Sequence, residues 1–202
     1  MLLFSITFLF IKLLMTFPVI VDGPSMMPTF YQGDTFFASM YEARFVGIKR
    51  GDVVVFKDAN DGVVGGGGAN DAASSGVVGG TNGGEGSGMA VGGANDAVGA
   101  ISPYYYTKRI IGIPGDRLVI KDGFVEVNGE KLNEPYVRGQ TVVDSFVDPV
   151  LSADAQGIVY NVPLDGYFVL GDNRENSVDS RNFVMTFVKR EDVVGVFVQN
   201  VF

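Results

Sequence analysis

The sequence predicts a mainly β protein made of antiparallel strands. Short apolar segments at 52–56, 166–170 and 193–198 are bounded by turn-forming or charged residues, as the strands of a sheet commonly are. Two dipeptides typical of tight hairpin turns, Asp122-Gly123 and Asn128-Gly129, each separate two apolar runs. Beyond the N-terminal segment, no stretch of the chain has the apolar period of a helix.

The N-terminal segment, residues 1–21, predicts a membrane anchor followed by a strand. Lys12 is its only charged residue, and about 20 predominantly apolar residues cross a bilayer as a helix. A cleavable signal peptide is the alternative, but the segment lacks a basic start and an Ala-x-Ala cleavage site. Pro18 and the β-branched residues at 19–21 predict that the helix ends before Phe17. Only about 11 apolar residues precede Lys12, which is short for a complete span.

Residues 59–101 differ in composition from the rest of the chain. Gly and Ala make up about half of the segment, and it contains no Lys, Arg, Pro or aromatic residue. Such a segment cannot bury enough apolar surface to offset its ordering entropy. We interpret it as a flexible insertion between a strand at 52–57 and a strand at 103–113, and we expect these two strands to pair with each other. The insertion lies within a β domain formed by residues 22–58 and 102–202. A calcium-binding glycine-rich repeat is the alternative, but the spacing matches no nonapeptide pattern.

The composition excludes several classes of function. The formal net charge is -8, and the chain has no basic stripe that would bind nucleic acid. It contains no His and no Cys, which excludes a Ser-His-Asp triad, thiol catalysis, disulfides and zinc held by His or thiolate. An enzyme built on this chain therefore needs Lys, Asp, Glu or Tyr as its base, or a metal held by carboxylates.

Two residues in separate segments are candidates for nucleophilic chemistry. Ser25 lies between Pro24 and Pro28 on a non-helical loop, for which a plain surface turn is the alternative. Lys108 lies on a predicted strand, with Tyr106 and Ile110 on the same face. It is either an edge-strand lysine that blocks aggregation or a buried lysine whose pKa is lowered enough for it to act as a base.

A third segment, residues 171–181, gathers hydroxyl, carboxylate and guanidinium groups directly after a predicted strand. A calcium-binding loop that begins at Asp172 is excluded, because Arg174 would occupy its third position, where an oxygen ligand is required. The segment is then either a solvated turn or an internally hydrogen-bonded loop. The density of complementary polar groups favours the internally bonded loop.

Four motifs in this order resemble those of the type I signal peptidase family. They are Gly-x-Ser-Met-x-Pro-Thr at 23–29, Gly-Asp-Val-Val at 51–54, Lys-Arg-Ile-Ile-Gly-x-Pro-Gly-Asp at 108–116 and Gly-Asp-Asn-Arg-x-x-Ser-x-Asp-Ser-Arg at 171–181. The resemblance implies coiled antiparallel β-sheets, of the type that signal peptidases share with self-cleaving repressors, and an N-terminal membrane segment. The fourth motif, the membrane segment and the missing DNA-binding domain favour the peptidase over the repressors.

The resemblance also implies a role for each site residue. Ser25 is expected to be the nucleophile, with its backbone N–H stabilising the oxyanion, and Lys108 is expected to be the general base. Ser177 is expected to orient the Lys108 amine through a hydrogen bond. Asp179 and Arg181 are expected to pair and to support that loop.

The substrate implied by the resemblance is a peptide that lies as an added strand between residues 21–23 and 105–107. The residues expected to contact it are Val21, Gly23, Met26 and Tyr106. The implied enzyme is a membrane-bound serine endopeptidase without a cofactor, which removes signal peptides from exported preproteins at the outer face of the plasma membrane. The alternatives are a self-cleaving Ser-Lys regulator on the same fold and a non-enzymatic, anchored β module.

Overall fold

The computed structural model describes residues 2–57, 105–143, 153–154, 157–182 and 187–200, so the segment at 59–101 lies outside the described residues. Among the described residues the chain forms one α-helix and twelve β-strands. The helix is α1 (Leu2–Leu14). The strands are β1 (Thr16–Ile20), β2 (Thr35–Ser39), β3 (Val53–Lys57), β4 (Tyr105–Gly112), β5 (Arg117–Lys121), β6 (Phe124–Val127), β7 (Glu130–Lys131), β8 (Ala153–Asp154), β9 (Gly157–Asn161), β10 (Gly166–Leu170), β11 (Val188–Lys189) and β12 (Val193–Asn200).

The N-terminal segment changes from helix to strand before Phe17, as predicted. Strand β1 pairs antiparallel with β2, and Pro18 lies opposite Phe37. Proline is tolerated there because β1 is an edge strand, whose outer side needs no hydrogen-bond donor. Lys12 of α1 forms an ion pair at 2.7 Å with Glu42, in the short helical turn that follows β2. No helix in the described part of the chain is both long enough and apolar enough to cross a bilayer.

Seven strands form the main sheet in the order β1-β2-β12-β3-β4-β10-β11, with antiparallel neighbours throughout. The sheet is covered on both sides at β3, where Val53 and Val55 pack into one apolar core and Val54 and Phe56 into another. Burial on both faces explains why this strand is a continuous apolar run and does not alternate. Strands β3, β10 and β12 confirm the three strands predicted from apolar segments.

Strand β4 lies inside the main sheet, between β3 and β10. It pairs with β3 along most of its length, where Lys108 is opposite Val54, but with β10 only from Arg109 onwards. The edge-strand interpretation of Lys108 is wrong because its side chain is 1% exposed, whereas a lysine that blocks pairing at a sheet edge presents its charge to solvent. On the side of β4 that faces away from β3, the pairing with β10 begins at Arg109, which lies opposite Leu170.

A smaller sheet has the strand order β7-β6-β5-β9-β8 and contains both predicted hairpins. The β5–β6 turn has φ values of 51° at Asp122 and 81° at Gly123, and the β6–β7 turn has 54° at Asn128 and 86° at Gly129. Positive φ at both central residues is the geometry of a type I′ turn, which favours Asp-Gly and Asn-Gly. Apolar residues of this sheet pack with the C-terminal half of β4 and with β10 to form a third core.

Candidate active site

The loop that carries Ser25 joins β1 to β2 and is held from two sides. Met26 and Phe30 are buried in the apolar core beneath it. From the other side, Asn173 donates its backbone N–H to the carbonyl oxygen of Ser25 at 3.0 Å and its side-chain amide to that of Pro24 at 3.1 Å. Ser25 is only 4% exposed, so the loop is not a plain surface turn.

Strand β4 brings Lys108 to the hydroxyl of Ser25. The Lys108 amine donates a hydrogen bond to Ser25 Oγ at 2.8 Å, although 83 positions separate the two residues along the chain. The Lys108 side chain is 1% exposed, and its Nζ atom lies 5.9 Å from the centre of the Tyr106 ring. The two candidates for nucleophilic chemistry are therefore in direct contact in a site that excludes most water.

Burial lowers the pKa of Lys108 from 10.5 to about 8. The main cause is the loss of hydration, which disfavours the charged ammonium form. The negative charge of Asp179 partly opposes this effect, the positive charge of Arg181 adds to it, and Asp172 again opposes it. A neutral amine is thus far more accessible near pH 7 than it is for a lysine in water, and only the neutral amine can accept a proton from a hydroxyl.

The loop formed by residues 171–181 is internally hydrogen-bonded. The buried carboxylate of Asp179 accepts hydrogen bonds from Arg181 at 2.8 Å and 2.9 Å and from the backbone N–H of Gly171 at 3.0 Å. Ser180 Oγ accepts a hydrogen bond from the backbone N–H of Val169 in β10. The solvated-turn alternative is therefore wrong, and the expected pairing of Asp179 with Arg181 is present.

Ser177 does not form the expected hydrogen bond to Lys108. Its Oγ atom is buried and has no hydrogen-bond partner among the described residues. It packs on the backbone of Gly171, where an added Cβ would lie 2.2 Å from Ser177 Oγ and 2.6 Å from the carbonyl oxygen of Ser25. The Lys108 amine donates its hydrogen bond to Ser25 Oγ instead. Ser177 packs against the backbone of Gly171, next to the Ser25 carbonyl.

The four residues expected to contact a substrate differ in exposure. Val21 and Met26 are buried in the apolar core beneath the Ser25 loop. Gly23 and Tyr106 are half-buried, and the Tyr106 ring stacks on Phe56 with 5.8 Å between ring centres. Gly23 and Tyr106 therefore present the surface that a direct contact with a peptide needs.

A largely buried ion pair, which no sequence pattern predicted, lies close to the site. Arg109 donates two hydrogen bonds to the carboxylate of Asp172, at 2.8 Å and 2.6 Å, and a third to the hydroxyl of Thr29. The ring of Tyr136 covers the guanidinium, with 4.0 Å between the ring centre and Cζ. Arg109 and Asp172 both belong to the sequence motifs, but their pairing depends on the contact between β4 and the loop that follows β10.

A serine hydroxyl held against a buried lysine amine, on a scaffold of antiparallel sheets, is the arrangement of a Ser-Lys serine peptidase. Comparison with known proteins identifies the family. The chain belongs to the family described as signal peptidase, peptidase S26, which matches residues 1–202.

Individual relatives are similar over most of the chain. Signal peptidase I P of Bacillus subtilis subsp. natto is 32% identical, over 89% of this chain and 73% of the relative. Signal peptidase I of Bacillus amyloliquefaciens is 31% identical, over 86% of this chain and 70% of the relative. The crystal structure of a signal peptidase I from Enterococcus faecalis is 25% identical, with a TM-score of 0.41 over 75% of this chain and 97% of that structure.

Proposed function

We propose that this chain is a serine endopeptidase that removes signal peptides from exported preproteins, with Ser25 as nucleophile and Lys108 as general base. The observation that carries the proposal is the 2.8 Å hydrogen bond between the Lys108 amine and Ser25 Oγ. Because the chain has no His, a lysine with a lowered pKa is the base that this site offers at near-neutral pH. Membership of the signal peptidase family supports the class of substrate.

The proposed reaction is acyl transfer in two steps. The neutral Lys108 amine takes the proton of the Ser25 hydroxyl as Ser25 Oγ attacks the scissile carbonyl, and the backbone N–H of Ser25 donates to the oxyanion. The Lys108 ammonium then gives the proton to the amine of the departing mature protein. The signal peptide remains bound to Ser25 Oγ as an ester. In the second step Lys108 deprotonates a water molecule, which hydrolyses the ester and regenerates the serine.

We propose that the substrate lies as an added strand between residues 21–23 and residues 105–107. The register of β4 supports this, because β10 pairs with β4 only from Arg109 onwards, after the segment proposed to receive the peptide. Gly23 and Tyr106 would contact the peptide directly. Val21 and Met26 would shape the apolar floor from below, since both are buried.

Three further roles remain part of the proposal. Asp179 and Arg181 would hold the loop behind Lys108, which is consistent with their bidentate ion pair. Ser177 would limit the space around the amine by packing against Gly171 and would orient the amine once Lys108 is neutral. The site as proposed needs no metal and no cofactor.

We also propose that the N-terminal segment attaches the enzyme to the plasma membrane, with the catalytic domain on the extracytoplasmic side. Large apolar side chains of α1, among them Leu9, Leu13 and Leu14, are more than half exposed. A lipid environment would cover the apolar surface that they present to solvent. The proposed arrangement places the site where exported preproteins emerge.

The test is to incubate the purified full chain with a preprotein and to map the cut by mass spectrometry. We expect one cut at the end of the signal peptide. Ser25→Ala and Lys108→Ala should each abolish cleavage, and their losses should not add because the two residues act as a unit. Lys108→Arg should also be inactive, because a guanidinium does not deprotonate. Lys121→Ala, at an exposed position of β5, is the control and should retain full activity.

Circular dichroism of each variant must show an intact fold for these losses to count. Appreciable turnover by Lys108→Arg would contradict the assignment of the base. Cleavage of the chain itself without cleavage of the preprotein would support a self-cleaving regulator in place of a signal peptidase.

A further inference from the structure

A strap of residues 134–141 connects the smaller sheet to the loop formed by residues 171–181. At one end, the backbone N–H of Thr141 donates to the carbonyl oxygen of Gly123, in the β5–β6 turn. In the middle, the N–H of Arg138 donates to the carbonyl oxygen of Asp172 at 2.8 Å, and the N–H of Arg174 donates to that of Arg138 at 2.9 Å. These bonds form a parallel bridge that joins the strap to the loop.

An ion pair in the interior reinforces this connection. The side chain of Arg174 is completely buried, and it donates hydrogen bonds to Glu134 at 2.5 Å and 3.2 Å. The same guanidinium also donates to the hydroxyl of Thr141 and, at 3.0 Å, to the carbonyl oxygen of Gly171. Glu134 is itself 9% exposed at its side chain. A buried guanidinium is costly without an anion, so Glu134 stabilises Arg174 in this position.

Arg174 lies at the centre of the loop that surrounds the reacting groups. The preceding residue, Asn173, holds the carbonyl oxygens of Pro24 and Ser25. The backbone carbonyl of Arg174 accepts a hydrogen bond at 2.7 Å from Arg181, whose charge acts on Lys108. Displacement of Arg174 would therefore disturb both the Ser25 loop and the surroundings of the Lys108 amine.

We propose that Glu134 is a positioning residue for the Ser25–Lys108 pair, which it supports through Arg174 and the loop at 171–181. The inference rests on the proposed peptidase function and assigns part of the active-site architecture to the smaller sheet, which carries the strap. Glu134 does not touch the reacting atoms. It keeps the loop closed over them.

Closure of the loop matters for Lys108 because the amine depends on a dry environment. The groups that act on it are Ser25 Oγ, the Tyr106 ring and the charges of Asp179, Arg181 and Asp172. Loss of hydration is the largest cause of its lowered pKa. A loosened loop would admit water to the amine, so its pKa would rise towards the ordinary value and less of it would be neutral at pH 7.

The experiment compares Glu134→Gln with a matched control, Asp116→Asn, in the full chain. Asp116 is also a buried carboxylate paired with an arginine, at 3.0 Å from Arg50, but it lies beyond the C-terminal end of β4. We expect Glu134→Gln to move the acidic limb of the pH profile of kcat/KM to higher pH, by about one pH unit. At pH 7 this shift should lower kcat/KM roughly tenfold, with only a small change in KM. Asp116→Asn should lower the melting temperature without moving the limb.

A second measurement reads the same shift without turnover. The Lys108 signal in spectra of protein carrying ¹³C-labelled lysine, assigned by its loss in Lys108→Arg, should titrate at higher pH in Glu134→Gln than in the wild type. If Glu134→Gln does not fold, Thr141→Val takes its place, because it removes one hydrogen bond from Arg174 and should shift the limb in the same direction by less.

Three outcomes would overturn the inference. In the first, Glu134→Gln is destabilised but its acidic limb and its Lys108 titration stay at the wild-type pH. In the second, the limb and the titration stay at the wild-type pH in Thr141→Val. In the third, Asp116→Asn moves the limb as far as Glu134→Gln does. Each of these leaves the proposed function intact as long as the wild type cleaves a preprotein. Failure of the wild type to cleave would instead overturn the proposed function, while the Lys108 titration would still test the link from Glu134 to the amine.

Discussion

At the scale of single residues, the position of the Lys108 side chain determines what its amine can do. An amine in water is almost fully protonated at pH 7, whereas the buried amine of Lys108 has a pKa of about 8. The activity of the proposed enzyme should therefore rise with pH through this region, as Lys108 loses its proton. The same burial that favours the neutral amine also has a cost for the stability of the fold.

That cost leads to a prediction about Lys108→Met. Below pH 8 the folded chain must bury a charged amine, whereas the unfolded chain exposes it with a pKa of 10.5. Between these two values the unfolded state binds a proton that the folded state does not, so wild-type stability should rise with pH. Methionine carries no charge, so Lys108→Met should increase the free energy of unfolding at pH 7 by up to about 3 kcal/mol while abolishing activity.

Urea denaturation of both proteins from pH 6 to pH 11 measures this difference, which should shrink as the pH rises through the window. Lys121→Met is the matched control, because Lys121 is exposed on β5. Its effect on stability should be small and should not depend on pH within that range. A Lys108→Met protein that is less stable than the wild type at every pH would show that the Ser25 hydrogen bond outweighs the burial of the charge.

The motifs in the sequence predicted which residues form the site, but not every contact between them. Ser25 and Lys108 were both identified from the sequence, and their contact is present. The expected hydrogen bond from Ser177 to Lys108 is absent, and the buried Ser177 hydroxyl has no hydrogen-bond partner among the described residues. Glu134 carried no sequence signal, since its importance arises only from the buried guanidinium that the fold places against it.

At the scale of secondary-structure elements, β4 connects the two parts of the fold. Its middle carries Lys108 beside the core of the main sheet, and its end carries Ile111 and Gly112 into the core of the smaller sheet. The local pattern predicted this strand and both hairpins, because periodicity and turn dipeptides are local signals. The pairing of β4 with β10 was not readable in this way, since it joins segments that are far apart in the chain.

Close packing at the end of β4 leads to a prediction about Gly112→Ala. An added Cβ would lie 2.7 Å from Leu118 Cδ1, 2.8 Å from a methyl of Val162 and 3.1 Å from Phe168 Cβ. Overpacking of this kind typically costs about 1–3 kcal/mol, so we expect urea denaturation to show a loss of that size. Val162→Ala should destabilise on its own, but the double variant should lose less than the sum of the two, because the smaller side chain makes room for the new methyl. Strictly additive losses would contradict this account.

At the scale of the whole molecule, the strands of the catalytic domain come from both sides of the Gly-rich segment. The main sheet needs β3 from before residues 59–101 and β4 from after them. The sequence predicted that these two strands pair. The present structure confirms the pairing and shows that Lys57, at the end of β3, lies opposite Tyr105, at the start of β4. The order of all seven strands, in contrast, depends on long-range packing that no local pattern reveals.

The direct pairing of Lys57 with Tyr105 leads to a prediction about the segment between them. Residues 59–101 contain few large side chains that could contribute to a core, and their two ends are connected to positions that are already adjacent. Replacement of 59–101 by Asn-Gly should therefore preserve the fold and keep or raise the melting temperature, because a shorter loop costs less closure entropy, by about 0.6 kcal/mol for each halving of its length.

Two comparisons decide this prediction. The shortened variant should cleave a short signal-peptide substrate at the wild-type rate, and a variant in which a Gly-Ser sequence of equal length replaces 59–101 should match the wild type in both stability and cleavage. Poor folding of the shortened variant, or loss of peptide cleavage, would mean that the segment packs against the domain. If instead both variants cleave the peptide but fail on whole preproteins, the segment engages the substrate or the membrane through its own sequence. Equal activity of all three proteins on both substrates would show that residues 59–101 are dispensable for the chemistry and for the recognition of preproteins.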